Sequence, residues 1–410
     1  MFRKLLSLDE AKKILKQNFS PKPVGVERVT LLKAHNRVLA RDLLAPMDIP
    51  PFDRSTVDGY AVRAADTFDA DEERPVALKL CGKVTVSESP NVVVEKGMAA
   101  EIATGAPLPK GADAVVMVEY STRRGAYIFV HRAVSKVANM MEAGSDIRKG
   151  ERIMKKSQRL SSREIGVLAA IGLTEVDVYK RPRVAILSTG AEVVEPGKPL
   201  PSGKIFDINA YAFSAAVLEC GGEPINLGII PDDRNQLRAA IKKALDSADA
   251  VITSGGVSVG PKDLIPKVVG TLGKPGVIVS GIAVKPGKPT TIAMIDETAI
   301  FSLPGHPTSA LFMFHIIVRP AICKMAGRTE VTPSMLKAVA ATKMFSTKGR
   351  RTFVMVNLTY DKIGKPLASP VPVGLSGAIT TLARADGFVE IPEKQQFIDA
   401  GTTINVFPLY

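Results

Sequence analysis

The sequence predicts a multidomain chain of the α/β plus β type, and three observations predict it. At 410 residues the chain exceeds what one hydrophobic core supports, since single cores stop growing near ~250–300 residues. Between Arg183 and about Gly327, strand-like runs alternate with helix-like ones, the rhythm of a parallel α/β sheet. At Pro46–Gly144 and again at Thr332–Tyr410, short β-branched runs are separated by Gly and Pro turns, as in small β-rich domains.

The elements follow in order. Leu5, Leu8, Ala11, Ile14 and Leu15 recur at helical spacing, with Lys4, Asp9, Glu10, Lys12 and Lys13 between them. A signal peptide needs an unbroken apolar run instead, so a cytoplasmic location is expected. Glu27–Ala34 reads as extended and ends at Asn36-Arg37. Val76–Leu80, Val92–Val94, Ala114–Val118 and Tyr127–Val130 read as the strands of an inserted domain. After it, Ser161 and Glu164 form a capping-box pattern that opens the helix Ile165–Ile171, stopped by Gly172. The expected boundaries are 1–46 with 147–181 for a helical and extended linker domain, 47–146 for the inserted β-rich domain, 182–328 for the α/β domain and 329–410 for a C-terminal β-barrel or sandwich.

Within the α/β domain, Val184–Leu187, Ile225–Ile230, Ala250–Thr253 and Ala299–Leu303 read as strands. Asn209–Cys220 and Asn235–Asp246 read as helices. Leu311–Val318 is the most apolar stretch. It is short of the ~18 residues of a membrane span, ends at Arg319-Pro320 and suits a buried helix.

Composition removes several functional classes. Cys81, Cys220 and Cys323 are far apart and odd in number, and the four histidines are scattered, so no disulfide framework or Cys/His metal motif is legible. The net charge of +13 favours anionic partners. With no Trp and 5% aromatics, the chain lacks the marks of a specific nucleic-acid binder.

In open α/β sheets ligands bind beyond the carboxyl ends of the strands. The special residues gather there. Ser188, Thr189, Gly190 and Glu192 follow the first strand, Asp232 the second, Ser254–Asp263 the third, and Pro304, Gly305 and Ser309 the last. In Ser254-Gly255-Gly256-Val257-Ser258-Val259-Gly260, glycines let backbone N–H groups approach an anion while the serines add donors. The same residues also suit a plain strand-to-helix turn. Lys285 and Lys288, on a proline-stiffened loop, suit an oxyanion or simply solvent. Glu192, Asp232 and Asp263 beside an anion imply a hard cation such as Mg²⁺, or else helix capping. The spacing is neither a Rossmann fingerprint nor a Walker A loop.

Seven stretches together resemble one family. They are Ser55–Ala61, Thr104–Pro109, Gly144–Arg148, Ser188–Glu192, Ser254–Gly260, Lys285–Pro289 and Leu303–Pro307, in family order along essentially the whole chain. The family is MoeA, the molybdopterin molybdenumtransferases, related to the E domain of gephyrin. The resemblance implies a four-domain subunit that forms a homodimer, with an α/β domain similar to MogA. It implies a reaction in which molybdate and adenylylated molybdopterin yield the molybdenum-loaded dithiolene and AMP, assisted by Mg²⁺. It implies transient contact with a MogA/MoaB-type adenylyltransferase and no specific nucleic acid or membrane. A scaffold role of the gephyrin type is the alternative.

By resemblance, Lys285 and Lys288 hold molybdate, the Ser254–Gly260 turn holds the pterin phosphate, and Glu192, Asp232 and Asp263 hold Mg²⁺ or orient water. Asp58, Thr104 and Asp146 match functional positions outside the α/β domain and reach the site across the dimer. Ser309, Arg351 and Ser376 are further candidates for molybdate contacts. The chain departs from the family pattern at Ala191, where a carboxylate is usual, at His306, where Asn is usual, and at Gly281. These departures bear on the metal and on the choice between molybdate and tungstate.

Overall fold

The structure is a computed structural model that describes residues 5–256, 264–329, 335–371 and 379–409. The chain divides into two compact units, one of Met1–Ala40, Ser157–Ser161 and Val176–Tyr410, the other of Arg41–Lys156 and Ser162–Glu175.

The first unit is organised by a six-stranded sheet. Its order is Glu223–Ile230, Arg183–Thr189, Ala250–Ser254, Thr298–Leu303, Thr291–Ile295, Pro275–Ser280. The Ala250–Ser254 strand is buried throughout, because both faces are covered. Val184, Ile186 and Ile252 pack with Phe213, Val217 and Phe314 on one face. Ala185, Leu187 and Val251 pack with Leu237, Ile241 and Val268 on the other. This alternation follows from the two-residue period of a strand.

The sheet is mixed rather than parallel throughout. Thr291–Ile295 runs antiparallel to both of its neighbours. Sequence reasoning missed it together with Pro275–Ser280. The hairpin turn between Thr291–Ile295 and Thr298–Leu303 is Asp296-Glu297, without the Asn-Gly or Asp-Gly signal that marks tight hairpins.

The helices fall close to expectation. Asn209–Glu219 ends in a glycine stop, with Gly222 N–H donating to Val217 O at 2.9 Å. Arg234–Ser247 is capped by Asp233, whose carboxylate accepts from the N–H groups of Asn235 and Gln236. Pro307–Met325 runs straight through Arg319-Pro320, where the sequence pattern predicts a stop. A π turn at Phe314–Val318 precedes the proline, and such widened turns absorb breaks in the hydrogen-bond ladder. This helix is long and apolar enough to cross a membrane, yet 61% of its most apolar window is buried inside the protein, as in a core helix.

At the N-terminus, Leu8–Asn18 is opened by a full capping box between Ser7 and Glu10 and seats Leu8 and Ala11 in the core of the sheet. Val26–Thr30 pairs with Glu175–Tyr179, whereas Leu31–Ala34, expected to be extended, is a helical turn. The chain leaves this unit after Ala40 and returns at Ser157. Ser157 N–H donates to Leu39 O at 2.8 Å, so exit and return lie side by side.

The C-terminal strands close into a five-stranded barrel. Arg351–Tyr360 pairs with Pro366–Pro370, which pairs with Leu336–Ala340, then Thr403–Pro408, then Gly387–Ile391, and this last strand returns to Arg351–Tyr360. Ala338, Val356, Ala368, Val389, Ile391, Ile404 and Val406 fill it. Small residues on several strands allow a barrel of this size to close over a dry interior.

The second unit carries its own six-stranded sheet, in the order Ala114–Met117, Gly59–Val62, Met98–Ile102, Val76–Val84, Tyr127–Val130, Ser121–Arg124. Val92–Val94 is not a strand; Val93 makes an isolated bridge with Lys110. Two central strands escaped the sequence pattern. Met98–Ile102 is Ala-rich and poor in β-branched residues, and Gly59–Val62 continues directly from a polar loop.

Candidate active site

The strand order places Arg183–Thr189, first in sequence, between the second and third strands of the α/β domain. The chain therefore reverses its direction of travel between the ends of Arg183–Thr189 and Ala250–Ser254. Such a switch point leaves a crevice outside the carboxyl ends. Ser188 and Ser254 stand opposite one another in register at that point.

Three loops meet there and are tied by one residue that sequence reasoning did not single out. The Asn209 side-chain Nδ2 donates to Ser254 Oγ at 2.7 Å and to Gly305 O at 2.7 Å. Its two N–H groups are thus both used, and Asn209 is buried at 7% exposure. Asp207 Oδ1 accepts from Ala210 N–H at 3.0 Å and sets the entry to the helix. The available signal was an Asp-x-Asn run just ahead of a helical pattern, a helix start whose Asn falls on the sheet-facing side.

The Gly255-Gly256 turn needs both glycines. Their φ angles are +86° and +65°, and a Cβ on Gly255 would sit 2.6 Å from Thr189 O. Gly255 N–H donates to Leu303 O at 3.3 Å, and Thr189 Oγ1 donates to Ser254 O at 3.3 Å, so the neighbouring strand ends hold the turn. Ser188 Oγ is buried without a hydrogen-bond partner among the described residues. An orphaned hydroxyl of this kind costs about 1–3 kcal/mol unless something completes it. Helices Asn209–Glu219 and Pro307–Met325 both begin at this edge, so their positive ends add to its preference for negative charge.

The remaining candidates flank this centre in an order set by the sheet. On one side, Glu192 follows Thr189; its carboxylate lies against the face of Gly190, where a Cβ would meet it at 2.9 Å. Asp232 is exposed beyond the edge strand, while Asp233 is the helix cap. On the other side, the register Thr291 with Ser302 brings the Lys285–Thr290 loop beside Leu303-Pro304. Thr290 Oγ1 donates to Gly287 O at 2.8 Å and Lys288 O accepts from Ile282 N–H at 2.9 Å, which fixes the loop. Lys285 is exposed, Lys288 half-buried. With strands ~4.8 Å apart, Glu192 follows the strand next to the Gly255 turn, whereas Asp232 on the same flank and the lysine loop on the opposite flank each lie two strand spacings, roughly 10 Å, from it. Pro304 and Ser309 are buried at the start of the last helix.

Ser258, Gly260, Asp263 and Ser376 lie outside the described residues. Among the described residues, no three His, Cys, Asp or Glu side chains gather into a metal-binding group. Arg351 is occupied: Asp9 lies at 2.6 Å, Glu393 at 3.0 Å and Glu390 at 3.4 Å from its guanidinium. Its role is to tie the barrel to the N-terminal helix.

In the second unit, Asp58 Oδ1 accepts from Thr104 N–H at 2.8 Å, joining two residues picked separately from the sequence. Ser55 and Gly105–Ala106 zip the same two loops by backbone bonds. Both side chains are exposed, as is that of Asp146, whose N–H donates to Ile49 O at 3.0 Å.

Comparison with known proteins agrees in order along the chain. Residues 6–172 match the MoeA N-terminal region (domain I and II), 185–324 a probable molybdopterin binding domain, and 337–409 the MoeA C-terminal region (domain IV). The chain is 32% identical over 407 residues to a molybdopterin molybdenumtransferase of Haemophilus influenzae, covering 98% of each. It is 34% identical to one from Bacillus subtilis, covering 93% of this chain and 89% of that one. A solved molybdopterin biosynthesis MoeA protein from Pyrococcus horikosii superposes with a TM-score of 0.87 at 42% identity, over 99% of this chain and 100% of that one. With three consecutive regions matched and relatives aligned end to end, the chain belongs to the MoeA family.

Proposed function

We propose that this chain is a molybdopterin molybdenumtransferase that consumes adenylylated molybdopterin and molybdate and releases AMP. The observation that carries the reading is the Asn209-tied junction at the switch point, with its glycine turn, two helix N-termini and unsatisfied Ser188 hydroxyl. Such a junction suits the phosphate of a nucleotide-like or pterin ligand.

The flanks divide the work. Lys285 and Lys288 bind molybdate as point charges and set it beside the dithiolene. Molybdate is substrate here, and oxygen-based binding needs no cysteine ligand. Glu192 and Asp232 are hard oxygen donors, the type that Mg²⁺ takes together with substrate phosphates. Bound there, Mg²⁺ would neutralise phosphate charge. Asp263 completes the proposed carboxylate set, and Ser258 and Gly260 are assigned to binding the phosphate. Asp58 and Thr104 are assigned to the reaction as a carboxylate and its partner loop, with Asp146 as a further substrate contact.

The balance is simple. Water cleaves the phosphoanhydride, AMP leaves, and a molybdate oxygen departs as water when the two dithiolene sulfurs bond to molybdenum. The test is purified protein with adenylylated molybdopterin, molybdate and Mg²⁺. Stoichiometric AMP and active cofactor are expected; no AMP above a protein-free control refutes the reading. Replacing molybdate by tungstate measures oxyanion choice, and light scattering tests the proposed homodimer.

A further inference from the structure

Far from the carboxyl edge, the last turns of the two helices that begin at the site come together. Cys220 closes Asn209–Glu219, and Cys323 lies in the final turn of Pro307–Met325. The two thiols are neighbours close enough to influence one another, and both pack in the same core cluster. The surrounding backbone shows why. A Cβ on Gly222 would sit 3.3 Å from Ile322 Cγ2, one on Gly221 would sit 3.1 Å from Arg328 Nε, and Arg328 Nη1 donates to Glu219 O. The glycine stop that follows Cys220 is thus pressed against residues 322–328.

The setting makes the two sulfurs unlike. The adjacent Cys220 thiol, then the Arg328 and Arg319 charges, pull the Cys323 thiol below its usual range, while the adjacent Cys323 thiol and burial push Cys220 up. Arg328 Nε is buried without a hydrogen-bond partner among the described residues and lies against the same glycine stop. Cys220 is 1% exposed, whereas Cys323 is half-buried. Nothing in the proposed reaction uses either group.

We propose that Cys220 and Cys323 form a peroxide-sensitive dithiol that closes to an intramolecular disulfide. The Cys323 thiolate attacks the O–O bond of a hydroperoxide, taking one oxygen as sulfenic acid and releasing water or alcohol. Cys220 sulfur then displaces the sulfenic hydroxyl, which leaves as water with the Cys220 proton. Two thiols are oxidised, one peroxide is reduced, and both protons end in the products. The bond staples the distal ends of the helices that hold Asn209 and the Gly305 loop, closing a loop of about 100 residues.

Cys81 is the internal control. It is half-buried, its thiol is raised by burial, and it donates to Ala99 O at 3.3 Å with no thiol partner. Reduced full-length protein is treated with hydrogen peroxide, alkylated, and mapped by mass spectrometry. The expected result is joint loss of alkylation at Cys220 and Cys323, a cross-linked 220–323 peptide 2 Da lighter than the reduced pair, retention of Cys81, and recovery by dithiothreitol. A melting temperature several degrees higher for the oxidised form is also expected. Cys323→Ser should leave Cys220 alkylatable; should that variant misfold, the map of the native protein decides. Alkylation retained at both residues while Cys81 reacts, or sulfinic acid at Cys323 beside a free Cys220, overturns the proposal.

Discussion

Asn209 donates to Ser254 Oγ across 2.7 Å, and the same nitrogen reaches Gly305 O at the same distance. One buried amide therefore joins a helix start, a strand end and the loop before the last helix. These are the three pieces that frame the switch point of the sheet.

Removing that amide should loosen the site and the fold together. Asn209→Ala leaves the buried Ser254 hydroxyl and the part-buried Gly305 carbonyl without this donor, which costs about 1–3 kcal/mol. Urea denaturation should show the loss as a lower midpoint at unchanged slope. Affinity for molybdopterin should fall as well. An unchanged midpoint with unchanged affinity would show that the two bonds are incidental.

Gly255→Ala tests the turn itself. Its φ of +86° is disfavoured for an L-residue, and the new methyl would meet Thr189 O at 2.6 Å. The turn must shift, and the strand end opposite Ser188 with it. The expected outcome is at least a tenfold loss in turnover with a stability cost of about 1–3 kcal/mol, read by AMP release and thermal unfolding. Gly305→Ala, whose Cβ meets nothing closer than 3.9 Å, is the milder control.

The legibility of this protein in its sequence followed the strength of local signals. Buried strands such as Val184–Leu187 and Ala250–Thr253 announce themselves as short apolar runs that stop at Gly and Ser. The antiparallel Thr291–Ile295 strand did not, because its hairpin turn lacks glycine. The π turn before Pro320 was invisible, since a proline in a helical pattern reads as a stop unless the preceding ladder widens. In the site, Ser188, Ser254 and Gly305 were legible as strand-end residues. Asn209 was not: its role depends on two partners 45 and 96 residues away in sequence. Cys220 and Cys323 looked unrelated for the same reason, being linked only through the packing of two helix ends.

Asp58 separates loop support from chemistry. Its Oδ1 accepts the Thr104 N–H, a bond that Asp58→Asn keeps through its amide oxygen. Asp58→Ala loses it. If the carboxylate acts in the reaction, Asp58→Asn should retain the wild-type melting temperature yet lose about 100-fold or more in kcat, in the range of lost acid–base assistance. Wild-type kcat in Asp58→Asn would reduce the residue to a loop tie.

His315 makes stability fall in mild acid. Burial, then the Arg319 charge, hold its imidazole down to about 4 from an ordinary 6.5, and its Nδ1 is buried with no hydrogen-bond partner among the described residues. Above pH 6.5 neither folded nor unfolded chain carries the proton, so the group is silent. As pH drops from 6.5 toward 4, the unfolded chain takes the proton and the folded one does not. Stability therefore declines across that window, by roughly 3 kcal/mol in the limit. Denaturation midpoints between pH 7.5 and 4.5 should fall more steeply for the native chain than for His315→Gln. Parallel curves would remove His315 from the account.

The lysine flank gives the most direct test of how the oxyanion is held. Lys285 is exposed and Lys288 half-buried on a loop fixed by Thr290 and Ile282, one strand spacing from Pro304. Their charges are presented by a pre-formed turn, so substrate binding need not order them. Lys288→Ala and Lys285→Ala should each raise the KM for molybdate about tenfold or more, with a smaller effect on binding of molybdopterin at the Gly255 turn roughly 10 Å away. Lys288, the less solvated of the two, should show the larger effect, because a charge partly removed from water interacts more strongly with an anion. Added salt should raise the wild-type KM for molybdate and leave the double variant nearly flat, since screening acts on charge that is present. Equal losses for molybdate and molybdopterin in both variants would mean that the loop supports the fold of this edge rather than the oxyanion.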